Sequence, residues 1–257
     1  MSAVDLHARP SADFEAKLAE SQSLLQRAAA DFAPITQASS LGAEDVVITH
    51  LINSLELDIP VFVLETGMLH DETLQLLKRT QASSRAPVTV YHPINESVVH
   101  FVGREGKDAM YRSVELRKAC CHIRKVEPLE RALAGKRAWI TGLRREQSNA
   151  RAEVPLVDTS DEVKARESGG PGAAGRIKLN PLANWTWGDV WHYIKLHRVD
   201  YNPLHDAFYP SIGCAPCTRA ISLGEDFRAG RWWWEDEAAK ECGLHVKKDD
   251  TKEEVSI

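Results

Sequence analysis

A chain of 257 residues with a net charge of −5 can bury one full core, with room for appendages or a small lobe, and is too acidic to be a general nucleic-acid binder. No apolar run approaches the length that spans a bilayer, and residues 1–30 are charged and broken by Pro10, which predicts no signal peptide and a cytoplasmic protein away from membranes. Five cysteines, an odd number, in a reducing compartment point to metal ligation or thiol chemistry and away from a disulfide framework.

Taken in order, Ser11 can cap a helix over residues 12–32, with Asp13 and Glu15 in its first turn and Phe14, Leu18, Leu25 and Phe32 at helical spacing. Residues 35–38 read as a short strand, the segment from Ser39 to Asp45 as a small polar loop, and residues 46–55 as a helix. Strand, loop and helix would set backbone N–H groups and a positive helix end around a phosphate, although ordinary capping explains the same loop. Residues 60–64 form an apolar run of the kind buried in a parallel sheet, ending in Glu65-Thr66-Gly67 before a helix over 71–80. Residues 88–91 and 138–143 repeat the strand pattern. Strands alternating with helices predict an α/β sheet whose ligands collect at the carboxyl ends of the strands, so the loops after Ala38, Leu64 and Ile140 are candidates for one site. No G-x-G-x-x-G or Walker-type glycine pattern occurs, which argues against dinucleotide binding and P-loop NTPase chemistry.

Cys120 and Cys121 are adjacent within Leu116-Arg117-Lys118-Ala119-Cys120-Cys121-His122-Ile123-Arg124-Lys125, a basic run. A second pair, in Cys214-Ala215-Pro216-Cys217, is followed by Arg219, Arg228 and Arg231. Four thiols in two pairs can converge on one centre, and both zinc and iron–sulfur clusters accept such a set. Neighbours on a helix point about 100° apart, so both Cys120 and Cys121 reach one centre only where the helix ends or distorts. Buried free thiols are the alternative.

Thr141-Gly142-Leu143-Arg144-Arg145-Glu146-Gln147-Ser148 ends a strand with donors suited to phosphate or sulfate oxygens, and basic residues gathered here and near the cysteines suggest a small anionic ligand. Residues 158–175 read as a mobile loop or a linker. Thr186 can cap a helix carrying Trp187, Val190, Trp191 and Ile194, whose aromatics read as core. Trp232-Trp233-Trp234 is hard to bury in one piece and suggests an interface or a bend beside the site. Beyond Glu235 a charged tail carries Cys242 and His245, either an incidental thiol or a mobile nucleophile with a nearby cation to raise its thiolate fraction.

Together, Ser40-x-Gly42-Ala43-Glu44-Asp45, Glu65-Thr66-Gly67, Cys120-Cys121-x-x-Arg124-Lys125, the Thr141–Ser148 segment, Cys214-x-x-Cys217-Thr218-Arg219, Gly224-Glu225-Asp226-x-Arg228-x-Gly230-Arg231-Trp232-Trp233-Trp234-Glu235 and Glu241-Cys242-Gly243-Leu244-His245 resemble assimilatory adenylyl-sulfate reductases. The resemblance implies an adenine-nucleotide α-hydrolase-like (PP-loop) α/β fold with a mostly parallel sheet. It divides the chain into an N-terminal helix over 1–33, a reductase domain over 34–235 and a mobile tail over 236–257. It implies reduction of adenosine 5'-phosphosulfate to sulfite and AMP, thioredoxin as a separate electron donor, a homo-oligomer, and a [4Fe-4S] cluster on Cys120, Cys121, Cys214 and Cys217. Cys242 is then the nucleophile, with His245 and Lys125 in catalysis. Ser39, Ser40, Gly42, Glu65, Thr66, Gly67, Arg144, Arg151, Arg228 and Arg231 are the expected substrate contacts. The chain departs from the family in having Glu65 where aspartate is usual and Met68 where a basic residue is common.

Overall fold

Short runs of β-branched and aromatic residues flanked by amphipathic helices fold as a sheet covered on both faces. The computed structural model describes residues 2–161, 175–222 and 224–236. Its sheet holds β1 (Ile35–Ser39), β2 (Val61–Leu64), β3 (Val88–Tyr91), β4 (Ala138–Ile140), β5 (Val157–Asp158) and β6 (Ile177–Leu179) in the order β3-β2-β1-β4-β6-β5. All neighbours run parallel except β5, which pairs antiparallel with β6 at the edge. Gln37 of the central strand stands opposite Val61 on one side and Ile140 on the other. The strand order therefore reverses between β1 and β4, and the loops leaving their carboxyl ends part to open a crevice.

The helices are α1 (Ala3–His7), α2 (Phe14–Asp31), α3 (Ala43–Ser54), α4 (Asp71–Ser83), α5 (Asn95–Glu105), α6 (Val114–Cys121), α7 (Glu127–Leu133) and α8 (Trp187–His197). The main core joins Leu24, Leu25 and Ala28 of α2 and Val47, Ile48 and Leu51 of α3 with Val190, Trp191 and Ile194 of α8 and the inner strand residues. A separate lobe packs Phe101, Met110 and Trp232 around Cys120, Cys214 and Cys217. Among the described residues, no helix is long and apolar enough to cross a membrane.

The expected elements form, with instructive differences at their ends. α2 starts at Phe14 behind Asp13, and Ser11 instead donates its backbone N–H and its hydroxyl to Asp189 of α8 at 2.7 and 2.8 Å. α3 begins three residues before the expected start, at Ala43, because Glu44 and Asp45 suit the positive end of a helix and Gly42 can precede it in extended backbone. β4 stops at Ile140, so Thr141 onward is free to turn into the crevice. Thr186 caps α8, its side chain accepting from Asp189 N at 3.0 Å while Asp189 accepts from Thr186 N at 2.9 Å. The Trp232–Trp234 segment is a bend: Trp232 is buried and Trp233 exposed. Residues 162–174 of the expected loop and residues 237–257 of the expected tail lie outside the described residues.

Candidate active site

A cavity of about 210 Å³ opens at the carboxyl ends of β1, β2 and β4. One wall is apolar, built from Phe62, Leu64, Leu129 and Trp139; Lys125, Arg151, Arg228 and Arg231 supply cations elsewhere on its lining. That combination suits an anion attached to a flat apolar group.

The loop after β1 is pinned from behind. Ser40 donates its backbone N–H and its hydroxyl to one oxygen of Asp45, at 2.6 and 2.7 Å, and Ser39 Oγ accepts from Leu41 N at 3.2 Å. Gln37 Nε2 donates to the Asp45 carbonyl at 2.9 Å, tying this turn to the strand below. A Cβ at Gly142 would lie 2.5 Å from Asp45 Oδ1, so the chain leaving β4 approaches α3 this closely only because glycine stands there. Burial raises the Asp45 carboxyl from 3.8 to about 6; the Ser40 hydrogen bonds oppose this and neighbouring Glu44 adds to it.

Glu44 faces the loop after β4. Its Oε1 accepts from Arg144 Nε at 2.9 Å and Gln147 Nε2 at 3.0 Å, while Gln147 Oε1 accepts from Arg151 Nη1 at 2.6 Å. The buried relay Glu44–Gln147–Arg151 orients Arg151 at the cavity. Arg231 is held differently. Its guanidinium lies 4.6 Å from the centre of the Trp232 ring and would come within 2.5 Å of a Cβ at Gly213. Its buried Nε has no hydrogen-bond partner among the described residues, a donor suited to an incoming oxygen.

Beside this cavity is a smaller one lined by Cys120, Cys121, Cys214 and Cys217 with Met68, Met110, Arg117, Arg124 and Lys125. Ser113 caps α6, accepting from Leu116 N at 3.2 Å, and the helix runs to Cys121 before a π-helical turn over His122–Val126. The distortion expected from two adjacent cysteines therefore begins at the residue after them. On the other side, Ala215 N donates to Met68 O at 2.7 Å and Cys217 N to Cys214 O at 2.9 Å, folding the second pair against the loop after β2. None of the four is in a disulfide. Burial raises the Cys120 thiol and pushes Cys217 up to about 12, with Cys214 adding to the rise at both; Arg124 opposes it at Cys120, and Lys125 and Arg231 at Cys217. Among the described residues no three His, Cys, Asp or Glu side chains are grouped to hold a single metal ion; the thiols ring a cavity instead. Four cysteines with no competing oxygen donor fit an iron–sulfur cluster, which binds them as thiolates.

Of the expected contacts, Ser39, Ser40, Gly42, Thr66, Lys125, Arg151, Arg228 and Arg231 line the large cavity, and Lys125 also lines the cysteine cavity. Glu65, Gly67 and Arg144 do not line it. Glu65 accepts from Gly67 N at 2.7 Å and lies 3.1 Å from His92 Nδ1, while Gly67 holds a φ of +70° beneath the Arg124 guanidinium. Arg144 is buried between Glu44, Trp187 and Phe227, behind the site. Cys242 and His245 lie outside the described residues. The cavity also includes Asp45, Gln147, His205 and Phe227, which were not expected as contacts. His205 had no sequence signal: burial lowers its imidazole to about 4, so it is neutral at ordinary pH.

Residues 34–220 match the profile of the phosphoadenosine phosphosulfate reductase domain. An adenosine 5'-phosphosulfate reductase of Allochromatium vinosum is 50% identical over 225 residues, 88% of this chain and 84% of that one. Another from Burkholderia cepacia is 53% identical over 209 residues, 81% of this chain and 79% of its own. The crystal structure of phosphoadenylyl-sulfate reductase from Candida auris, in a phosphate complex, superposes with a TM-score of 0.63 at 27% identity, covering 78% of this chain and 90% of that one. An FMN adenylyltransferase from Candida glabrata shares the fold alone, with a TM-score of 0.55 at 11% identity over 93% of this chain and 81% of its own. The expected PP-loop type of α/β fold stands. With a matching profile over most of its length and relatives at half identity, the chain belongs to the phosphoadenosine phosphosulfate reductase family.

Proposed function

We propose that this chain reduces adenosine 5'-phosphosulfate to sulfite and AMP in the cytoplasm, with a thioredoxin-type dithiol as electron donor and a [4Fe-4S] cluster held by Cys120, Cys121, Cys214 and Cys217. The observation that carries this reading is the cavity whose apolar wall of Phe62, Leu64 and Trp139 suits adenine and whose Arg228, Arg231 and Lys125 suit a phosphosulfate. The names of the Allochromatium and Burkholderia relatives support the substrate without a 3'-phosphate.

In the reaction the Cys242 thiolate attacks the sulfur of the sulfuryl group, the bond from that sulfur to the phosphate oxygen breaks, and AMP leaves with the electron pair. The product on the enzyme is a cysteine S-sulfonate. One thiol of the reductant attacks the Cys242 sulfur and expels sulfite, and its second thiol resolves the mixed disulfide, so both electrons come from the dithiol. Bringing an anionic thiolate to an anionic sulfate requires a cation at the point of transfer, a role suited to Lys125 and to His245, three positions after Cys242 in the sequence, while Arg228 and Arg231 on the cavity lining suit binding of the phosphosulfate. When bound, the cluster supplies rigidity and fixed charge next to Lys125.

The test is sulfite release by anaerobically purified protein supplied with reduced thioredoxin, comparing the two nucleotide sulfates. Brown protein with iron and acid-labile sulfide should use adenosine 5'-phosphosulfate far better than its 3'-phosphorylated form. Equal or reversed kcat/KM values would move the assignment to a 3'-phosphoadenylyl-sulfate reductase, and zinc without iron or sulfide would remove the cluster.

A further inference from the structure

We propose that Arg117 and Glu235 form a latch that positions Arg231 for the anionic end of the substrate, making both of them positioning residues although neither lines the substrate cavity. The inference rests on the reading of that cavity as the adenosine 5'-phosphosulfate site.

Arg117 lies on α6 one turn before Cys120, with its side chain fully buried. Its Nε and Nη2 donate to the two carboxylate oxygens of Glu235 at 2.9 and 2.7 Å, a fork in which the Glu235 side chain is 3% exposed. A buried ion pair adds little stability over an apolar pair of the same volume, but a two-bond fork fixes direction. What it fixes here is a turn under strain. Trp232 has a φ of +43°, in the left-handed region that a bulky side chain adopts only when its surroundings dictate it. The surroundings are specific. Trp232 N donates to Cys217 O at 3.2 Å, Glu235 N donates back to Trp232 O at 2.9 Å, and the Arg117 guanidinium lies 4.5 Å from the Trp232 ring centre.

The same indole carries the Arg231 guanidinium at 4.6 Å. Arg231 precedes Trp232 in the chain, pairs with Thr218 through an isolated antiparallel bridge, and lines the substrate cavity over Gly213. A continuous line of contact therefore runs from Glu235 to Arg117, to Trp232, to Arg231. Releasing the fork frees Trp232 to return to negative φ, and that rotation carries the adjoining Arg231 off its place.

Glu235→Gln keeps the volume and one acceptor while removing the charged fork. In holoenzyme it should raise KM for adenosine 5'-phosphosulfate roughly tenfold with kcat within about twofold and iron content unchanged, the pattern of lost ground-state binding. The decisive comparison is with Arg231→Ala: because the latch acts through Arg231, Glu235→Gln should cause no further loss in that background. Losses that multiply in the double variant, or an unchanged KM in Glu235→Gln alone, overturn the latch. If Glu235→Gln loses its fold, the doubly apolar variant Arg117→Met with Glu235→Leu, which strands no buried charge, replaces it with the same expected results and the same overturning ones. Wild-type enzyme that releases no sulfite from adenosine 5'-phosphosulfate removes the substrate reading and the latch with it, whereas normal wild-type turnover with multiplying losses removes the latch alone.

Discussion

The hydroxyl oxygen of Thr66 lies 3.3 Å from the sulfur of Cys214. Thr66 also lines the large cavity, accepts from Met68 N at 3.2 Å, and through its carbonyl accepts from Arg124 at 2.6 Å. One buried residue after β2 thus links the large cavity to a thiol of the cysteine cavity. The two are neighbours because the β2 loop and the Cys214 segment are bridged at Leu69.

Thr66→Val keeps the shape and removes the hydroxyl. It should lower unfolding free energy by about 1–3 kcal/mol, because the Met68 N–H is left without its acceptor. Iron should also pass to a chelator faster than from the wild type. Urea unfolding and chelator-release kinetics measure the two effects, and unchanged values in both would show the contact to be idle.

Asp45 makes stability depend on pH. Its carboxyl is raised by burial from 3.8 to about 6, so between those values the folded chain binds more protons than the unfolded one. The contribution of this group is full below about pH 4 and is lost as pH rises through 6, amounting to about 3 kcal/mol. In Asp45→Asn this fall should vanish from the difference between unfolding free energies measured at pH 4.5 and 7, roughly, in urea. A difference between wild type and variant that stays constant with pH would refute the raised carboxyl.

Arg144 supports the site from behind by pairing with buried Glu44. Arg144→Met strands that carboxylate and should cost about 3–5 kcal/mol. Adding Glu44→Gln should restore most of the loss, which thermal or chemical unfolding of the three variants would record. If Arg144→Met keeps full stability and only KM rises, Arg144 touches substrate directly.

The crevice was legible because apolar runs alternating with helices imply a parallel sheet, and the loops after Ala38, Leu64 and Ile140 then fall at one end of it. The helix distortion that begins at His122, directly after the cysteine pair, was legible for a geometric reason, since adjacent helical side chains diverge. Partners distant in sequence were not. Ser11 has the local look of a cap for α2, yet Asp189, 178 positions later, takes its donors. Arg144 resembles an anion ligand beside Arg145 and Gln147 until folding brings Glu44 against it from 100 residues upstream. The three tryptophans read as either an interface or a bend, and only the backbone shows that Trp232 turns left-handed to bury one ring and expose the next.

On the proposed mechanism the sulfuryl group is transferred covalently to Cys242. Holoenzyme mixed anaerobically with adenosine 5'-phosphosulfate and no reductant should gain the mass of one SO₃ group, mapped to Cys242 by peptide mass spectrometry and released as sulfite on addition of reduced thioredoxin. Cys242→Ser should retain its iron and bind AMP while forming neither adduct nor sulfite. An adduct on Cys120, Cys121, Cys214 or Cys217, or near-normal sulfite production by Cys242→Ser, would rule out Cys242 as the nucleophile.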